Sequence, residues 1–172
     1  MKKLPAILGT LAVLAVAALA VIYSGLYPIS ILQHDCAVMN WAMQTGMIHS
    51  VRYHARGIAA PNLSDPAMAR EGFGHYQEMC VSCHGAPGVD PDEIAQGLWP
   101  KAPDLAKSAR HWSPSELFWI TKNGVKFTAM PAWGPSHGDD KIWAIVAFLK
   151  TLPRLSPSQY KVLKSASPSR RE

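Results

Sequence analysis

Residues 80–84 read Cys-Val-Ser-Cys-His, in a chain of 172 residues that holds three cysteines. Two thiols separated by two residues and followed at once by an imidazole have the spacing that attaches a c-type haem. Each thiol can add across one porphyrin vinyl group, and the two-residue gap matches the separation of the vinyls. The adjacent histidine then lies under the iron as its proximal ligand. Other chemistries fit the stretch less well. A zinc site asks for a second Cys/His pair at ligand spacing, and the chain has none downstream. A thioredoxin-like redox pair asks for a βαβ context that the pattern lacks, and a disulfide across two residues closes a strained ring. The expectation is one haem c per chain, covalently held by Cys80 and Cys83, with His84 on the iron.

The elements that must position this stretch are helical. Ser64-Asp65-Pro66 has a capping side chain followed by proline in the first turn, so a helix should run from there to about Cys80. Residues 85–103 are punctuated by proline and glycine and read as loop. Ser113-Pro114-Ser115-Glu116 is a capping box opening a short helix that Asn123-Gly124 ends. Asp139-Asp140 starts a last helix, with acids at its positive end and Lys150 near its negative end, and Pro153 stops it. Upstream, Val38, Trp41, Ala42, Thr45 and Ile48 fall at helical spacing and predict an amphipathic helix over 36–56 carrying His49, Arg52, His54 and Arg56. No segment alternates with period two between hairpin turns. The fold class is all-α.

The N-terminus carries a different signal. After Lys2 and Lys3, Leu4 to Ile22 is uncharged, and the next formal charge is Asp35. At the helical rise this run spans about 28 Å, one hydrocarbon thickness. Lysines before it and Tyr23 and Tyr27 after it suit a span with a cytoplasmic N-terminus, broken at Pro28. The expectation is an anchor over residues 1–26, with a signal sequence ending at Ala18-Leu19-Ala20 as the alternative. Both readings export the remainder of the chain: a helical connector over 27–65, a haem domain over 66–153 and a flexible basic tail over 154–172. The net charge of +5 does not mark a nucleic-acid binder. Residues 1–69 hold four basic side chains against two acidic, residues 70–152 eight against nine, and residues 153–172 five against one. The excess lies in the flanks rather than in the central domain.

Residues from about 66 to 153 resemble a class I cytochrome c domain. Gly72 and Tyr76 stand where that family has a glycine and an aromatic on its N-terminal helix, and Ile145 and Phe148 fit its aliphatic and aromatic pair on the C-terminal helix. Pro103-Asp104-Leu105 is similar to the segment whose proline carbonyl accepts the proximal histidine Nδ1–H. The family takes its distal ligand from a loop methionine often followed by proline. Met130, in Thr-Ala-Met-Pro-Ala-Trp-Gly and 46 residues after His84, matches that pattern. Of the others, Met39, Met43 and Met47 precede the domain, Met68 lies on the entry helix, and Met79 adjoins Cys80 and cannot reach the opposite face. The resemblance thus implies cofactor contacts from Cys80, Cys83, His84, Pro103 and Met130, with His84 and Met130 on the metal.

Surface or capping roles are expected for His34, His49, His54, His75, His111 and His137. Core or haem-pocket positions are expected for Trp99, Trp112, Trp119 and Trp133, and a buried or idle thiol for Cys36. The segment before the domain is similar to membrane-anchored bacterial monohaem cytochromes. The resemblance implies a single-pass protein of the bacterial inner membrane with its haem domain in the periplasm. It would contact lipid through the N-terminal helix and pass single electrons between respiratory or dehydrogenase partners, with no catalytic residues of its own. Two alternatives stay open: a fixed haem subunit of a dehydrogenase or oxidase complex, and a haem ligand sensor or peroxidase-like enzyme.

Overall fold

The computed structural model describes residues 3–33 and 36–166. Lys2, His34, Asp35 and residues 167–172 of the expected tail lie outside the described residues. The chain divides into two compact units at residue 35. Helix α1 (Lys3–Ser24) belongs to the first. It is long and apolar enough to cross a membrane, and none of its residues is buried. It ends earlier than the expected break at Pro28. Gly25, at φ +68°, takes the left-handed conformation that stops a helix, and the Ser24 hydroxyl accepts from the Leu26 N–H.

The second unit holds α2 (Ala37–His54), α3 (Pro66–Met79), α4 (Val81–His84), α5 (Glu93–Gln96), α6 (Leu105–Ser108), α7 (Pro114–Asn123), α8 (Asp139–Thr151) and α9 (Pro157–Ala166). Short 3₁₀ turns follow α6 and α8. Among the described residues there is no strand beyond a lone bridge between Ala86 and Val89. Local signals account for the boundaries. Asp65 caps α3 by accepting from the Ala67 N–H, and Ser113 with Glu116 closes the reciprocal box at the start of α7.

The core is built where α3 and α8 cross. Gly72 lies against the α8 backbone, where a β-carbon would overlap the carbonyl oxygen of Ala144. That close approach brings Phe73 and Tyr76 onto Phe148, with ring centroids 5.3 and 5.2 Å apart. Ile142, Ile145, Val146 and Leu152 complete a dry interior, and α7 joins it through Leu117 and Phe118, the latter stacked on Trp143.

Two boundaries differ from expectation. The basic tail does not leave the domain at residue 154. It turns back as α9, and Tyr160 is fully buried, 5.5 Å from the Phe73 ring and hydrogen-bonded to the Gln77 amide. One aromatic anchored in the core outweighs the polar composition around it. The connector is likewise part of the domain from Cys36 on. Val51 and Ala55 are buried, His54 stacks on Trp119, Arg52 lies 3.8 Å from Glu116, and the Ser115 hydroxyl donates to the Ile58 carbonyl.

Gly72→Ala should force the two backbones apart and cost about 3 kcal/mol or more of unfolding free energy, read by denaturant titration. Gly74→Ala, on the same helix but with open space around its β-position, should be neutral or stabilising by up to about 1 kcal/mol.

Candidate haem-binding site

Cys80 closes α3, and the next four residues form the single turn α4. The Cys83 and His84 N–H groups both donate to the Cys80 carbonyl, at 3.1 and 2.9 Å, so both thiols and the imidazole ride on one rigid turn. Gly85 ends the turn at φ +62°, in a space too narrow for a side chain beside the Val89 carbonyl. The Tyr76 hydroxyl, buried one helical turn before Cys80, donates to the Gly85 carbonyl at 2.6 Å. Asp92 N–H reaches back to the Ser82 carbonyl at 2.8 Å and ties down the loop between α4 and α5.

Cys80 and Cys83 are free thiols, and no cluster of three or more metal-ligating side chains exists among the described residues. Cys80 is almost fully buried. Burial, with the neighbouring Cys83 adding to it, pushes its thiol up to about 12, so it stays protonated and uncharged inside the core.

His84 Nδ1 lies 2.8 Å from the Pro103 carbonyl oxygen. A carbonyl can only accept, so the proton sits on Nδ1 and the Nε2 lone pair is left for a metal. Burial lowers the His84 pKa, and the Pro103 bond opposes that only in part, which keeps the ring neutral near neutral pH. The acceptor is itself held. Asp104 caps α6 through the Ala106 N–H at 3.0 Å and pairs with Lys107 at 2.9 Å, and that hydrogen bond lowers its carboxyl pKa.

Met130 is half-buried in the loop between α7 and α8. The loop is laced to the end of α7. Val125 N–H donates to the Met130 carbonyl, Met130 N–H to the Thr128 hydroxyl, Trp133 N–H to the Thr121 carbonyl and Gly134 N–H to the Lys122 carbonyl. Gly124, at φ +67°, packs against the Met130–Ala132 backbone with no room for a β-carbon.

Two features escape a reading of the sequence. One is the Tyr76–Gly85 bond, since a helical aromatic signals packing and not a hydroxyl contact. The other is the contact of His75 with His137, ring centroids 5.6 Å apart, which joins α3 to the methionine loop. Burial, more than the neighbouring His137, depresses the His75 pKa. The residues present fit a covalently attached haem: two unpaired thiols at vinyl spacing, and an oriented neutral imidazole on the same turn.

Tyr76→Phe would leave the Gly85 carbonyl buried without a donor, costing about 1–3 kcal/mol. Reduced stability to urea, with unchanged helix content by circular dichroism, is the expected outcome.

Residues 67–149 match the family described as cytochrome c oxidase, cbb3-type, subunit III. A similar curated protein is the Cbb3-type cytochrome c oxidase subunit FixP of Rhizobium meliloti (strain 1021), 31% identical over 90 residues. That alignment takes in 52% of this chain and 29% of the relative's length, so the chain matches less than a third of that longer protein. The matched residues run from the start of α3 to near the end of α8 and so contain the helix crossing, the Cys80–His84 turn and the Met130 loop. The stretch 67–149 is thus similar to a cbb3-type cytochrome c domain, and helix α1 ahead of it is long and apolar enough to cross a membrane.

Proposed function

We propose that this protein carries single electrons to a membrane-bound oxidase, with one covalently attached haem c per chain. The observation that carries the reading is the oriented imidazole beside two free thiols on one turn. Cys80 and Cys83 would hold the macrocycle edge, His84 Nε2 would take one axial position and Met130 the other. Bound haem supplies a one-electron Fe(III)/Fe(II) couple. The Pro103 carbonyl keeps the His84 proton on Nδ1 and raises the ligand's basicity. The backbone bonds around Met130 fix the loop that carries it, so its thioether would be offered to the iron from a set stretch of chain. With His84 and Met130 both holding the iron, the group would supply outer-sphere electron transfer rather than oxygen or peroxide chemistry. Lipid would take α1, with the haem domain on the periplasmic side of a bacterial inner membrane.

A fixed oxidase subunit is the second reading, supported by the description of the FixP relative as an oxidase subunit. Gentle solubilisation followed by identification of co-purifying proteins decides between the two. A stoichiometric oxidase partner supports the subunit, and a lone cytochrome supports the carrier.

Attachment should depend on both thiols. In Cys80→Ala or Cys83→Ala, part or all of the haem should become extractable by acidic organic solvent, and covalent haem in the double variant would overturn the assignment. Met130→Ala should lower the reduction potential, because thioether sulfur favours Fe(II). The ferrous variant should bind carbon monoxide readily while the parent does not. Loss of the weak far-red sulfur-to-iron band in Met130→Ala, with its retention in Met68→Ala, would identify the ligand. A parent protein that binds carbon monoxide at once would favour the sensor or enzyme reading.

A further inference from the structure

Helix α2 is docked at one end only. Val51 is buried and His54 stacks on Trp119, whereas the N-terminal half is exposed, with Val38 72%, Trp41 66%, Met39 48% and Met43 41% accessible. These are large apolar side chains, and no formal charge lies between Ala37 and Ile48. At 100° per residue, Val38 and Trp41 fall on one side of the helix and Met39 and Met43 on another. A rigid protein face would cover one side alone, and a fluid apolar medium covers both. The preceding described segment is of the same kind, with Leu26, Ile29 and Leu32 each more than four-fifths exposed. From Leu4 to Ile48 the sole formal charge is Asp35, so the apolar character of the membrane helix continues into α2. Beyond Ile48 the helix turns basic, with Arg52 and Arg56, and no acidic residue occurs between Ala37 and Ser64.

We propose that α2 lies in the lipid surface, its N-terminal half sunk to the boundary between headgroups and acyl chains and its basic end at the level of anionic headgroups. Trp41 is the anchoring aromatic, since an indole places an apolar body in the chains and an N–H at the headgroups. Arg56 is exposed and available to lipid phosphate, and Arg52 divides its charge between Glu116 and the surface. Because the C-terminal end of α2 is packed on α7, this contact would hold the haem domain at a set height and tilt over the membrane. The proposal rests on the membrane anchor and is independent of which partner receives the electron.

The test uses the full-length holoprotein with Cys36→Ser, the other two cysteines being consumed by haem. Single cysteines replace Trp41, Met43, Arg56 or Leu14, and each carries an environment-sensitive fluorophore. Each variant is placed in phosphatidylcholine vesicles with or without phosphatidylglycerol, and an unchanged haem spectrum certifies the fold. Labels at 41 and 43 should be quenched by doxyl-labelled lipid and be several-fold less sensitive to aqueous iodide than the label at 56. Added phosphatidylglycerol should deepen the contrast. Labels at 41 and 43 open to iodide while Leu14 is quenched by lipid would overturn the proposal and spare the anchor. Iodide access at Leu14 would overturn both. Labels at 41 and 43 shielded from iodide and lipid alike would assign the face to a second copy of the chain and overturn the lipid contact.

Discussion

The close crossing of α3 and α8 at Gly72 is the contact on which the rest of the domain depends. A helix pair normally keeps its axes 8–10 Å apart because side chains stand between them. Here one position has no side chain, and a backbone carbonyl takes the space. Everything that stacks around the crossing does so because the approach is short. Phe73 meets Phe148 edge to face and Tyr76 meets it at a tilt, Ile145 and Val146 are buried, and Tyr160 packs edge to face on Phe73.

From that crossing the reactive turn inherits its position. Cys80 continues α3 directly, so the axis set by Gly72 also sets where the two thiols and His84 point. The Tyr76 hydroxyl prevents the turn from rotating away, because its partner is the carbonyl immediately after the histidine. The imidazole is then held from the far side by Pro103, whose own position depends on a capped helix start at Asp104. Of these contacts the Tyr76–Gly85 bond lies in the low-dielectric interior, where a hydrogen bond is strong and costly to leave unmade, and it stiffens the turn.

What could be read beforehand was what local chemistry encodes. Cys80, Cys83 and His84 declare themselves by spacing, Ser113 and Glu116 by a reciprocal cap, and Gly72 with Phe148 by a resemblance whose physical reason the crossing supplies. What could not be read depends on distant partners. Tyr160 lies in a stretch rich in Ser, Pro and Lys, and nothing nearby reveals that Phe73 and Gln77, more than eighty residues earlier, will bury it. Val38 and Trp41 mark a stripe, but the sequence does not say whether the domain covers it, and the domain leaves it bare. The end of α1 turned on Gly25 because a left-handed glycine stops a helix before a proline three residues later can.

The late closure by α9 also gives the domain a schedule. Its defining contacts join segments far apart in the chain: α3 with α8, and Phe73 with a tyrosine near the end of the described chain. Contacts of high sequence separation form slowly, since each must first close a long loop. While a growing chain lacks residues 139–160, α3 has no partner for its apolar face, and Cys80, buried in the finished molecule, is still open to solvent. The order of synthesis therefore leaves an interval in which both thiols are reachable before the core shuts over one of them. The final helix, packing Tyr160 on Phe73, is then the element that closes the core behind that interval.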